Sequence, residues 1–252
     1  MTNKLMFFIG NWKMYGENSL IRIIKALHEA SIKFKNKNKK NKVVLCIPYT
    51  LINFFVKKKK IKSISIGAQN CHHESLGPFT GSISAKMVKD VGAEYIIIGH
   101  SENRSDGDTN KKIKMKIKLA QENKLNIIFC IGETLNEKKT KKTFSVLKKQ
   151  LSDSIDKSTN SKKIIIAYEP VWSIGTGRTP KSNELKKIFL FLKNTSKKIL
   201  HAKSYPAIIY GGSVNDKNIS IFSSISEIDG FLIGGASLSV KKFIAIIKNY
   251  YK

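Results

Sequence analysis

The stretch Tyr95-Ile96-Ile97-Ile98-Gly99-His100-Ser101-Glu102 decides how the rest of the chain is read. Four apolar residues in a row, three of them β-branched, read as a strand, and the lack of alternation with polar residues marks a strand covered on both faces. Gly99 then breaks the strand, and three residues able to do chemistry follow at once. The same grammar recurs along the chain. Apolar runs end in Gly10-Asn11-Trp12-Lys13, Ala68-Gln69-Asn70, Gly132-Glu133, Glu169-Pro170, Gly211-Gly212-Ser213 and Gly234-Gly235-Ala236-Ser237. Working outward, strands are predicted at 5–9, 43–47, 63–67, 95–99, 127–131, 164–168, 207–210 and 230–234. Helical periodicity fills the gaps at 19–34, 50–57, 85–91, 109–123, 139–157, 183–201, 216–222 and 240–250. Eight strands each followed by a helix suit a closed parallel barrel, in which the strand-to-helix loops open on one face and catalytic groups collect there. An open doubly wound sheet is the other architecture compatible with the alternation.

Composition agrees with one globular unit. The chain has 252 residues, 41% of them apolar, with 16 glycines and five prolines, which excludes disordered and collagen-like classes. Apolar runs stop far short of the roughly 20 residues that cross a bilayer, so no membrane association is expected. Met1-Thr2-Asn3-Lys4 leads straight into the first strand without secretory-signal features, and a cytoplasmic protein is expected. Cys46, Cys71 and Cys130 are odd in number and widely spaced, which points to reduced thiols and to no metal cluster.

The formal net charge is +28, from 46 basic and 18 acidic residues. Taken alone this suggests nucleic acid. Yet only Arg22, Arg104 and Arg178 are arginines, and the lysines are spread, with Asn and Ile, over nearly every surface segment. Such a spread reflects drift in composition, with sequence-independent polyanion binding as its side effect, because specific sites use guanidinium forks and aromatic stacking. The Lys/Asn-rich run at 35–42 and the lysines at 57–60 read as solvated loops between a helix and the next strand.

Once these strand ends are assembled, the chain resembles the triosephosphate isomerase family over essentially its whole length. The resembling segments are Gly10 to Lys13, GSISAKMVKDVGAEYIIIGHSE from Gly81 to Glu102, Cys130 to Glu133, AYEPVWSIGTGRTP from Ala167 to Pro180, Tyr210 to Val214 and Gly234 to Leu238. The resemblance implies a single-domain (β/α)8 TIM barrel over residues 1–252. It also implies interconversion of dihydroxyacetone phosphate and D-glyceraldehyde 3-phosphate through an enediolate, with no metal and no organic cofactor. Matched position by position, Glu169 is the base and His100 the neutral imidazole that donates to the substrate oxygens. Lys13 compensates anionic charge, and Asn11 orients beside it. The short helix expected after His100 would disfavour an imidazolium, an arrangement for which this family is itself a standard example. Glu102 matches a second carboxylate, with an electrostatic or relay role and a structural one both open. Phosphate would be held by main-chain N–H groups at Gly211-Gly212 and Gly234-Gly235 and by the N–H of Gly175, with Ser213 adding a hydroxyl. Residues 170–180 form a lid hinged at Trp172 and again near Pro180, whose closure excludes water.

The resemblance further implies a homodimer, in which the loop bounded by Asn70 and Gly81, with Phe79 and Thr80 at its tip, inserts near the partner's Asn11 and the partner's Lys13. Two family residues that commonly pair across that interface are replaced together, by Ser82 and Asn103, which leaves no orphaned charge. The segment 105–110 is about one residue shorter than usual, with Asp108 in place of Glu. Pro180, where alanine is usual, fixes φ and is expected to alter lid opening. Two competing readings are another phosphate-binding barrel enzyme and a nucleic-acid-binding protein built on an old barrel. A Schiff-base aldolase would need lysine where this chain has Glu169.

Overall fold

Residues 4–17, 22–35, 40–58 and 64–251 are described by a computed structural model. The expected first turn of the helix at 19–34, residue 63 of the third strand, and much of the lysine-rich segments 35–42 and 57–60 lie outside the described residues. Eight strands, β1 (Met6–Asn11), β2 (Asn41–Cys46), β3 (Ile64–Ala68), β4 (Tyr95–Ile98), β5 (Asn126–Ile131), β6 (Ile164–Tyr168), β7 (Ala207–Tyr210) and β8 (Gly230–Ile233), pair in chain order. All pairs are parallel, and β8 returns to β1 to close a TIM barrel. The open doubly wound alternative is therefore excluded.

Among the described residues the helices are α1 (Arg22–Lys35), α2 (Tyr49–Lys58), α3 (Ala85–Asp90), α4 (Ser101–Ser105), α5 (Asn110–Glu122), α6 (Leu135–Lys139), α7 (Thr143–Ser154), α8 (Ser182–Ile199) and α9 (Val240–Tyr250). None is long and apolar enough to cross a membrane among the described residues. Two expectations are corrected. The helix predicted at 139–157 is two helices, because the Thr134/Glu137 capping box starts α6 early and Lys141, at φ 57°, turns the chain before α7 begins. At 216–222 the structure has no α-helix but a 3₁₀ segment, Ile219–Ser224. There the Asn215 and Asn218 side chains take up backbone N–H groups in local turns, which competes with helix formation.

The pleat sorts each strand into two sets of residues. Ile9, Val44, Ile97, Ile128, Cys130, Ile165, Ala167, Ile209 and Leu232 pack together as the barrel's filling. Their neighbours Phe8, Leu45, Ile98, Phe129, Ile166 and Tyr168 face the helices and meet Ile113, Leu147, Phe189 and Phe243. Phe129 is fully buried, and truncating such a residue to alanine costs about 3–5 kcal/mol. This alternation also positions the site. One more inward step beyond the filling carries the chain from Ile9 to Asn11, Ala167 to Glu169, Ile209 to Gly211 and Leu232 to Gly234, all at the barrel mouth.

Candidate active site

His100 follows β4 after Gly99 and caps α4. The Glu102 N–H donates to its Nδ1 at 3.3 Å. A ring nitrogen that accepts in this way carries no proton, so the neutral ring's single N–H sits on Nε2. That atom lies 3.4 Å from Oε1 of Glu169.

Glu169 is only 3% exposed. Burial pushes its carboxyl above the usual carboxylate range, while His100, the Cys130 thiol and Lys13 pull it part of the way back. Its Oε2 has no hydrogen-bond partner among the described residues. An unpartnered buried carboxylate oxygen is a strong acceptor for a proton. Two glycines make room for this residue. A β-carbon on Gly211 would stand 2.6 Å from the Glu169 Cγ, and one on Gly132 would lie 1.8 Å from the Glu169 carbonyl oxygen.

Lys13 adopts a left-handed backbone, φ 54°, which costs a non-glycine residue on the order of 1–3 kcal/mol. Three groups hold it there. Its N–H donates to Asn11 Oδ1 at 3.1 Å, and its carbonyl accepts from Gln69 Nε2 at 2.9 Å. The same Gln69 amide reaches Asn11 Oδ1 and the Cys46 carbonyl, tying the ends of β1, β2 and β3 together. The Lys13 Nζ pairs with Glu102 Oε1 at 2.5 Å.

The segment 170–180, expected from the resemblance to be a lid, begins with a 3₁₀ turn, Val171–Ser173, and carries Gly175 and Gly177 at φ 71° and 75°. Its first hinge is anchored by Glu133, a fully buried carboxylate that accepts from the Trp172 indole at 2.9 Å and from the Tyr168 hydroxyl. Burial pushes the Glu133 carboxyl up, and the Trp172 and Tyr168 donors oppose that shift. Lys138 sits 4.0 Å above the Trp172 ring and pairs with Glu184. Pro180, at the second hinge, is buried. Across the mouth, Gly235–Leu238 forms a 3₁₀ turn. A β-carbon on Gly234 would come no closer than 3.8 Å, to Lys13 Cε, and one on Gly235 would meet nothing within 4 Å. No protein atom crowds a β-carbon at either position; a group seated in the cavity would.

Asn11, Lys13, His100, Glu169, Gly175, Ser213, Gly234 and Gly235 line one cavity of about 390 Å³. Glu102 does not line it: 56% exposed, this side chain lies behind Lys13, with Oε2 3.6 Å from His100 Nδ1. Sequence reasoning assigned no role to Glu133, Gln69, Cys130, Ser173 or Tyr210. The first two could have been found, because they too sit where a strand ends.

A sequence profile of the triosephosphate isomerase family matches residues 6–250. The triosephosphate isomerase of Alkaliphilus metalliredigens is 37% identical over 243 residues, covering 94% of this chain and 96% of its own. That of Yarrowia lipolytica is 38% identical over 247 residues, covering 96% and 98%. The crystal structure of triosephosphate isomerase from Bartonella henselae superimposes with a TM-score of 0.88 at 33% identity, covering 98% of this chain and 99% of that one. By profile, relatives and fold alike, the chain belongs to the triosephosphate isomerase family.

Proposed function

We propose that Glu169 and His100 together carry the family's reaction, the interconversion of dihydroxyacetone phosphate and D-glyceraldehyde 3-phosphate. The carboxylate takes the proton from the carbon beside the carbonyl. The released C–H electron pair becomes the second bond of an enediolate, and the carbonyl electrons move onto oxygen, where the His100 Nε2–H donates. Returning the proton to the neighbouring carbon, while the hydroxyl proton on the first carbon's oxygen passes to the second carbon's oxygen beside His100 Nε2, completes the isomerisation, so one carboxylate serves both directions. Lys13 compensates the charge of phosphate and enediolate, and Asn11 orients beside it. N–H groups near Gly175, Ser213, Gly234 and Gly235 hold the phosphate, and lid closure keeps water from the intermediate.

The observation that carries this reading is the 3.4 Å approach of His100 Nε2 to a buried Glu169 carboxylate at the wall of a cavity rimmed by glycine. A coupled assay with glyceraldehyde 3-phosphate on the purified protein and on Glu169→Asp tests it. Retracting the carboxylate by one methylene should lower kcat by about 10²-fold. An equally active variant overturns the assignment.

The same reading includes a homodimer. Leu76 (82% exposed) and Phe79 in the 70–81 loop, with Met14 (94% exposed) and Tyr15 beside the cavity, offer apolar surface to a second copy. The ring of His72 stacks on Phe79 at 4.3 Å and stiffens the loop. Size exclusion at micromolar concentration should give twice the chain mass, and a fully active monomer would refute the dimer. A cytosolic setting fits the three buried free cysteines. Nucleic acid is expected to bind only through the excess lysine charge, with affinity falling steeply as salt rises.

A further inference from the structure

Ser173 stands at the inner end of the lid's first hinge, and its side chain is fully buried. Its hydroxyl meets three groups. It donates to the Arg178 carbonyl at 2.5 Å, which joins the first hinge to the start of the second. A hydroxyl has one proton, so the other two contacts use its lone pairs. The Tyr210 hydroxyl therefore donates to Ser173, across 3.1 Å, and the Ser213 N–H donates across 3.3 Å. The cluster is built into the barrel mouth. A β-carbon on Gly212 would lie 2.2 Å from the Tyr210 hydroxyl and 2.7 Å from the Ser173 Oγ, so the chain keeps glycine where the two must meet.

The Ser213 N–H is one of the donors assigned above to phosphate, and Ser213 lines the cavity. A phosphate oxygen is a charged acceptor and forms the stronger bond. The bond to Ser173 is also the longest of the three and yields first.

We infer that Ser173 is a latch: its hydroxyl occupies the Ser213 N–H until phosphate displaces it, so that filling the phosphate site uncouples the lid's first hinge from the loop after β7. This rests on the phosphate assignment made under the proposed function. Ser173 reaches no reacting atom and is a positioning residue. The coupling is reciprocal, so whatever strengthens the latch weakens phosphate binding by the same factor.

Binding of inorganic phosphate, measured by calorimetry, tests the latch without reference to turnover. Ser173→Ala removes the competing acceptor, and phosphate should bind about fivefold more tightly, the worth of one neutral hydrogen bond. KM for the triose phosphate should fall by a similar factor, while kcat moves less. Ser173→Cys preserves the volume with a poorer acceptor and should fall between parent and alanine. This variant decides the matter should the alanine variant fail to fold. A purely structural Ser173 predicts weaker or unchanged phosphate binding, and either result in both folded variants overturns the latch. Isomerase activity of the parent is scored separately: an active parent with unaltered phosphate affinity in the variants sinks the latch alone, and an inactive parent sinks the function itself.

Discussion

The ammonium of Lys13 and the carboxylate of Glu102 form an ion pair, Nζ to Oε1 2.5 Å, on the outer side of the cavity wall. The cation proposed to meet the substrate is thus held by a carboxylate that does not itself line the cavity. Lys13→Met should lower kcat/KM by at least about 10²-fold, as loss of a preorganised charge does. Glu102→Gln should cost about tenfold, through a misplaced Lys13, with KM moving more than kcat. Steady-state kinetics separate the two, and equal losses would place Glu102 in the chemistry itself.

Burial of Glu169 sets a pH dependence. Its folded-state pKa is raised, so the acid limb of kcat/KM should fall at a higher pH than an ordinary glutamate allows. For stability the sign runs the other way. The folded chain holds this proton more tightly than the unfolded chain, so the stabilising contribution is full below the ordinary glutamate pKa and is lost as pH rises through the raised one. Glu169→Gln should therefore lower kcat by about 10²–10⁴-fold while raising Tm near neutral pH, with the gain vanishing in acid. Thermal unfolding at several pH values checks this, and a pH-independent difference would contradict it.

Trp172 closes the hinge through its indole donor to buried Glu133. Trp172→Phe keeps the ring and removes the N–H, leaving a buried carboxylate short of one partner. Turnover should fall by about tenfold, and more of the product should be the phosphate-elimination product, because a loosened lid lets the enediolate turn its C–O bond to phosphate into line with the π electrons that expel it. Product analysis alongside the rate distinguishes a lid defect from general damage.

A chain carrying +28 should attract a dianionic substrate at long range. kcat/KM should fall as salt rises from about 10 to 150 mM, over which the Debye length shortens from roughly 30 to 8 Å, while kcat changes little. Stopped-flow or low-substrate assays suffice, and a salt-independent kcat/KM would show that capture is not steered.

The barrel was legible because its strands are apolar on both faces and stop at glycine or a polar residue, so Ile98-Gly99-His100 and Ala167-Tyr168-Glu169 each mark an element and its working end. What resisted reading depends on contacts far apart in sequence or on side chains that divert the backbone. Nothing near Glu133 announces that Trp172 will donate to it. The turn made by Asn215 and Asn218 replaces a helix that periodicity favours, and Lys141 in a left-handed conformation splits another. Nothing local to Ser173 in the lid segment marks its role, and only the fold brings Arg178, Tyr210 and Ser213 around it.

Gly132 pressed against the Glu169 carbonyl, with the Glu169 N–H bonded to the Ile131 carbonyl at 2.8 Å, leaves the main chain at residue 169 no room to slide. In the proposed reaction, the travel of its carboxylate from one substrate carbon to the next must come from torsions of that one side chain. Snapshots taken at successive stages of turnover would superimpose in the backbone there and differ only in the χ angles beyond it.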